Sequence, residues 1–351
     1  MATQNAITLF SSESTTKYIK DIFSVLALPR DAEYQFRYET KYVESSVRSC
    51  VFSSGNCSGT MALVAFRSTN TESLDKRFII PIRWVEIIDV IYVADFYTIK
   101  FRVKCYPSFS NDFKEKCHAF NDINTITKNI LIDGTTNDLA VLNSVLPIVG
   151  DHKDDINRDN EYWRNIVDLF SILPMYESHY FLRCSPFVFA NNKPCYFENN
   201  FTTLEEEKCV YLKIDYFQRK YDPIHDSKID VILDNNIISH SSGLRTKMET
   251  RYDSIKLGFQ PKNTMHGTQS EIIICTSNST NKKQTEISLP IKIVKRNSLR
   301  IVKAIVMSIG ACLVGLPALL PDTFEITWKI LIAVFGAGVM GLNNFFDSTE
   351  K

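Results

Sequence analysis

Polar and apolar residues alternate strictly along several stretches of the first hundred positions, and that two-residue period marks half-buried strands. From Tyr34 to Val43, the side chains of Tyr34, Phe36, Tyr38 and Tyr42 fall on one face and those of Gln35, Arg37, Glu39 and Lys41 on the other. From Tyr97 to Cys105, Ile99, Phe101 and Val103 oppose Lys100, Arg102 and Lys104. Thr60 to Phe66 is an apolar run. Arg77 to Val93 is rich in isoleucine and valine, but Pro81 removes a ladder donor, which predicts two strands or one bent strand. A helical period intervenes twice. Ile19, Ile22, Phe23 and Leu26 share one face after Thr15 or Thr16 as cap, and Pro29 ends that helix. Trp163, Ile166, Val167, Phe170 and Leu173 form a stripe over Glu161 to Leu173, closed by Pro174.

The span from Asn111 to Asn143 is more polar, with room for one helix and a short apolar segment at Ile130 to Ile132. The charged stretch from His152 to Asn160 reads as a boundary. Beyond it, short apolar segments recur between Gly, Asn and Pro turns: Tyr180 to Phe189, Lys208 to Phe217, Lys228 to Ser239, Ser254 to Phe259, Glu271 to Thr276 and Glu286 to Val294. Short strands at near-regular spacing predict a β-sandwich. The fold class is mainly β with some α (α+β). The expected units are residues 1–150 (β-rich with short helices), 151–299 (a helix plus a sandwich-like part) and 300–351.

The third unit breaks the pattern. Ile301 to Leu320 carries one charge, Lys303, and Ile330 to Phe346 carries none. Twenty apolar residues at 1.5 Å rise reach about 30 Å, the thickness of a bilayer's hydrocarbon. The polar segment Pro321 to Lys329 separates the two runs, so 301–320 and 330–346 are expected to form a transmembrane hairpin. Two buried helices of a soluble core would each show a polar face, and these do not. Lys292, Lys295, Arg296, Arg300 and Lys303 precede the first run, whereas the turn holds Asp322 and Glu325. The positive-inside rule then places the soluble part and the C-terminus in the cytoplasm, with the hairpin in the inner membrane. The N-terminus, which lacks a basic start and an apolar run, agrees with this orientation. Small residues recur at four-residue steps: Ala311 and Gly315 in the first run, Ala333, Ala337 and Gly341 in the second. Such stripes let helix backbones approach in lipid, either within the hairpin or between subunits. Asn343 and Asn344 close the second run, as interfacial residues or as a polar pore mouth.

Composition adds exclusions. Forty basic residues balance forty acidic ones, so any attraction for nucleic acid must be local. Nine cysteines include no CxxC pair, which predicts reduced thiols and no zinc site. There is no phosphate loop, dinucleotide fingerprint or hydrolase motif. The expectation is therefore a protein without catalytic residues, metal or cofactor. One ligand surface is conceivable. Arg37, Lys41, Lys100, Arg102 and Lys104 gather on one sheet face if their strands are neighbours, with Tyr34 and Tyr106 close in sequence. Basic side chains so placed suit a nucleotide or oligonucleotide, and an ordinary solvated sheet face is the plain alternative.

The layout carried by the basic collar Lys292–Lys303 and the hairpin Ile301–Phe346 resembles the membrane effectors of bacterial anti-phage defence, in which a cytosolic sensor domain precedes C-terminal transmembrane helices. The resemblance covers about fifty residues and no diagnostic motif. It implies an oligomeric effector whose hairpins form or gate a pore, or disrupt the membrane, when the cytosolic part receives a signal. It would give Ala333, Ala337 and Gly341 a subunit-packing role and Asn343 a pore-mouth role. The alternative is a membrane-tethered module that recruits a partner protein, with the hairpin as a passive anchor.

Overall fold

A computed structural model describes residues 6–12, 14–52, 57–68, 76–117, 131–133, 139–150, 156–198, 200–219, 227–241, 243–277, 283–295, 297–319 and 325–348. Among these the strands form three sheets. The first has seven strands in the order β2-β5-β4-β3-β1-β7, with β6 pairing β4. They are β1 (Ile7–Ser12), β2 (Glu33–Glu39), β3 (Met61–Arg67), β4 (Lys76–Val93), β5 (Phe96–Val103), β6 (Leu131–Asp133) and β7 (Val141–Leu142). The β1–β3 pair is parallel and the other pairs are antiparallel.

Alternation sets the faces as expected: Ile99, Phe101 and Val103 are buried, and Phe36 and Tyr38 lie inward. β4 is one continuous strand of 18 residues, bent by two register shifts. One lies where Val64 pairs Arg83 and Ala65 pairs Pro81, and the other where Ile87 and Asp89 pair successive residues of β5. Each shift is a bulge, the usual answer to a proline or a twist in a long strand. β2 stops at Glu39, and Thr40–Tyr42 turns as a 3-10 helix, so Lys41 and Tyr42 leave the strand to which alternation assigned them.

Helix α1 (Thr16–Ala27) starts where the Thr15 hydroxyl accepts the Tyr18 amide, and ends at Leu28, whose extended backbone is what a following proline requires. Its buried residues Ile22, Phe23, Val25 and Leu26 pack on the sheet face that carries Leu9, Val64 and Ile82. Helix α2 (Asn111–Lys116) is capped by Ser110. Helix α3 (Asp159–Phe170) packs Trp163, Ile166, Val167 and Phe170 into that same core. The opposite face of the sheet, with Phe10, Leu63, Ala65 and Trp84, is covered by Leu146 and its neighbours.

The other two sheets stack as a sandwich. One has six strands in the order β10-β11-β18-β17-β13-β15, and the other five in the order β14-β16-β12-β8, with β9 on β12. Their bounds are β8 (Phe181–Cys184), β9 (Val188–Phe189), β10 (Tyr196–Glu198), β11 (Phe201–Glu205), β12 (Val210–Phe217), β13 (Lys228–Ile232), β14 (Ile238–His240), β15 (Arg245–Lys247), β16 (Tyr252–Pro261), β17 (Gln269–Ser277) and β18 (Lys283–Val294). Leu204, Ile229, Ile274, Leu289 and Ile291 of one sheet meet Leu182, Leu212, Ile214 and Leu257 of the other. Lys228 to Ser239 is two strands, because Asn236 donates its amide to the Asp234 carboxylate and closes a turn between them. The short strands β10, β11 and β15 have no counterpart in the sequence expectations.

Two α-helices of 23 residues follow, α4 (Asn297–Leu319) and α5 (Ile326–Ser348), and they pack on one another. Lys295 and position 296 separate β18 from α4. Side chains of the pair are described over 306–318 and 325–337. Over the described residues no helix is long and apolar enough to cross a membrane.

Candidate functional site

β2 and β5 are neighbours, with Gln35 opposite Lys100 and Glu33 opposite Arg102. Arg37, Lys100 and Arg102 therefore share one face of the sheet, as alternation required. They do not form an open cationic cradle. Glu33, its side chain only 5% exposed, pairs with Lys100 at 2.8 Å and with Arg102 at 3.2 Å. Lys104 lies between Glu86 at 2.8 Å and Asp31 at 3.2 Å. Lys41 pairs with Glu39 at 2.7 Å, and the Arg37 guanidinium lies 3.9 Å from the Phe96 ring centre. The two aromatics point elsewhere. Tyr34 is half-buried and donates to Asp21 at 2.8 Å, and Tyr106 is buried and donates to the Leu26 carbonyl at 2.6 Å. The carboxylates neutralise this face locally, as the balanced composition does globally.

A second polar cluster is buried where the first sheet meets the sandwich. Arg183 of β8 donates to Asp215 of β12 at 2.6 and 2.9 Å, and lies 3.6 Å from Asp159 at the start of α3. Asp159 in turn accepts the Tyr106 amide at 3.0 Å. Burial works against the Arg183 charge, yet Tyr106, Asp215 and Asp159 together hold its pKa above the ordinary range. The cluster ties β8, β12 and α3 to the segment after β5, and two arginine–carboxylate contacts there fix geometry more than they stabilise.

His179 forms a third centre. Its ring stacks on Phe23 of α1 at 4.3 Å, and its Nε2 lies 2.9 Å from the Thr285 hydroxyl of β18. Phe181 and Tyr176 close around it. Part of the residue's surface reaches solvent, but burial of the ring among these groups lowers its pKa to about 3, so it is neutral at pH 7. The same strand, β18, leads into α4.

The helix pair has a seam and an outside. Gly310 and Gly336 are its buried described residues. A Cβ on Gly336 would come within 2.8 Å of the Val314 amide and the Leu313 Cβ and 3.0 Å of the Gly310 carbonyl. The two backbones touch there, which only glycine permits. Both are among the glycines of the two apolar runs, but neither belongs to the four-residue stripes read from the sequence; they lie equidistant in sequence from position 323, as residues brought side by side in an antiparallel pair must. The stripe that sequence did single out lies elsewhere. Ala311, Gly315 and Ala337 are exposed and Ala333 is half-buried, and a Cβ on Gly315 would meet nothing within 4 Å. Ala311, Gly315 and Ala337 thus lie outside the seam between the two helices. The side chains of Gly341, Asn343 and Asn344 lie outside the described residues. Outward-facing apolar residues include Met307, Ile309, Leu316, Trp328, Leu331 and Phe335, the last 64% exposed.

Among the described residues no group of three or more histidine, cysteine, aspartate or glutamate side chains could hold a metal ion. Cys57, Cys184, Cys195, Cys209 and Cys312 form no disulfide, and burial pushes the Cys184 thiol up to about 12, where it is inert.

No protein family matches the chain, and no curated protein matches it in sequence. Among solved structures, a lipoprotein from Bacteroides thetaiotaomicron is similar over 34% of this chain and 83% of its own, at 8% identity and a TM-score of 0.21. A Niemann-Pick type C2 protein from the Japanese carpenter ant is similar over 31% of this chain and 90% of its own, at 10% identity and a TM-score of 0.21.

Proposed function

We propose that the chain is a membrane-anchored effector whose α4–α5 pair spans the inner membrane and whose β-rich part works at the cytoplasmic face. The observation that carries this reading is the outward surface of the pair. In water, Ile309, Leu316, Leu331, Val334 and Phe335, all exposed, would be left as unpartnered apolar side chains. In hydrocarbon they need no partner. The described residues alone contain no helix long and apolar enough to cross, but each full helix of 23 residues measures about 34 Å at 1.5 Å per residue, comparable with the thickness of a bilayer's hydrocarbon. The backbone contact at Gly310 and Gly336 is the packing that helices use where apolar burial gives no drive to associate.

Oligomerisation is the next part of the proposal. Ala311, Gly315 and Ala337 are spare with respect to the hairpin, so their small side chains leave room for a neighbouring subunit. A ring of such pairs can open a path for ions, whereas one pair cannot enclose a pore. The short joint after β18 would carry movement of the sandwich into α4. The test uses the full chain reconstituted in liposomes. Resistance to alkaline extraction, a mass above the monomer in detergent and release of a trapped dye are expected together. A chain washed off at high pH would end the membrane reading, and a strict monomer would end the pore.

A second reading, a tethered module that recruits a protein partner, is favoured by one feature. The β4–β5 hairpin turns through Ala94 and Asp95, both at positive φ, and exposes Ile91, Tyr92 and Val93 at its tip. Apolar side chains on a projecting tip suit a protein contact better than a small charged ligand. Exchange of α4–α5 for an unrelated anchor separates the two readings: a recruiting module keeps working and a pore-former does not.

A further inference from the structure

We infer that the cleft beside the joint between β18 and α4 seats the headgroup of a zwitterionic phospholipid, an inference that rests on the membrane reading above. The cleft holds about 230 Å³ and is lined by Phe189, Pro194, Tyr196, Thr203, Glu205 and Lys295. It lies on the outer face of the six-stranded sheet, where Tyr196 pairs Thr203 across β10–β11 and Glu205 pairs Val294 across β11–β18.

Chain continuity sets its depth. Lys295 precedes α4 by two positions, and the apolar run begins at Ile301. At ~3.6 Å per extended residue and 1.5 Å per helical residue, Lys295 is at most about 13 Å from the start of the run. The headgroup layer is about 5–8 Å thick on each side, and a lysine side chain spans the remainder. With Ile301 at the edge of the hydrocarbon, the cleft borders the headgroups.

The lining chemistry selects the headgroup. Lys295 and Glu205 place one charge of each sign in the same cleft, matching a phosphate joined to an amine, whereas a purely anionic headgroup would meet Glu205 with like charge. Lys295 is held in place: its ammonium contacts the Asn263 amide oxygen at 3.2 Å and Glu206 at 3.6 Å, and its backbone amide donates to His266 Nδ1 at 3.3 Å. Glu205 is paired with Lys208, whose ammonium also lies 5.3 Å from the Phe189 ring centre. Tyr196, 70% exposed at the rim, has the apolar body and polar tip that favour the interface.

The experiment measures lipids retained by the full chain, extracted from vesicles of equal phosphatidylethanolamine and phosphatidylglycerol, by native mass spectrometry. Retained phosphatidylethanolamine is expected to dominate. Its retention should fall about tenfold in Lys295→Gln and in Glu205→Gln, a loss of about 1.4 kcal/mol. Tyr196→Ala, at an exposed position with little bearing on folding, should lower it less, with an unchanged melting curve. Retention indifferent to headgroup, or unaltered in all three variants, overturns the cleft while the membrane reading stands. Preference for phosphatidylglycerol overturns the choice of headgroup and with it the role of Glu205. Failure of the chain to enter vesicles removes the membrane reading, and the cleft with it.

Discussion

The β2–β5 face and the α4–α5 pair treat their conspicuous residues in opposite ways. On the sheet face, Lys100, Arg102 and Lys104 each meet a carboxylate of the same sheet or its adjoining turn, so the chain satisfies itself. On the helix pair, the internal contact is made by two glycines while isoleucine, valine, leucine and phenylalanine point away. A surface that is complete needs nothing from its surroundings. A surface that directs its apolar residues outward has its complement elsewhere, and the outward face of α4–α5 is therefore the better guide to function. Both faces can be perturbed without touching the other.

The largest effect is expected from Val334→Arg. Val334 is 65% exposed and lies near the middle of α5. In water the change is worth no more than about 0.5 kcal/mol. At the centre of a bilayer it costs about 2.5–3.5 kcal/mol, which should lower the insertion equilibrium of the full chain roughly a hundredfold. Insertion equal to that of the unaltered chain would show that this face is solvated.

Gly336→Val tests the seam. Its new Cβ collides with backbone atoms of α4, which cannot move aside as a side-chain tip would. A loss of about 1–3 kcal/mol is expected for overpacking of this kind, read as a lower melting temperature in detergent. Gly315→Val, with open space around it, should leave melting unchanged and weaken self-association if neighbouring subunits meet on that face. Equal effects from both substitutions would erase the distinction between seam and outside.

His179 lies between α1 and β18, against Phe23 and Thr285, and its effect on stability has a definite sign. Its folded pKa of about 3 lies below its ordinary value of 6.5, so the neutral ring is favoured by folding. That contribution is fully present above pH 6.5 and is lost as the pH falls from 6.5 toward 3, at about 1.4 kcal/mol per pH unit at most. Urea midpoints should drop between pH 7 and pH 5 in the unaltered chain. They should drop less in His179→Gln, which keeps a hydrogen-bonding partner for Thr285. A midpoint insensitive to pH over that range would mean that the ring is solvated.

Much of this was legible in the sequence, for a physical reason. Period-two alternation reports burial of one sheet face, so β2 and β5 could be read with their inward residues and β12 and β17 as strand segments, and Thr15 and Pro29 delimited α1. The pairing of charges was not legible. Whether Lys100 meets solvent or Glu33 depends on which strand lies beside β5, a long-range fact that alternation does not encode. The same holds for Arg183 with Asp215, 32 positions apart, and for His179 with Thr285, 106 apart. In the helix pair, small-residue spacing pointed to Ala311 and Gly315 because it treats each helix alone. The contact at Gly310 and Gly336 is a property of two antiparallel helices and their turn. Strands such as β10 and β15, three residues each, are too short to show a period at all.

The smallest effect distinguishes a solvated face from a site. A double-mutant cycle between Glu33 and Arg102 should give a coupling of about 0.2–1 kcal/mol, the range for partly exposed ion pairs that salt screens. Glu33→Gln makes the cycle informative about function as well, because it releases Lys100 and Arg102 together and leaves two unneutralised cations on neighbouring positions of β5. If Glu33 merely balances charge, the variant should bind a nucleoside triphosphate no more tightly than the unaltered chain does. If Glu33 instead occupies the place of a phosphate, its removal should expose the site, and titration calorimetry at low salt would register the gain. That outcome would return the sheet face to the position of ligand surface and reverse the contrast with the helix pair. A flat titration would leave the face as an internally paired surface, whose charges keep the β2 edge from pairing with another chain.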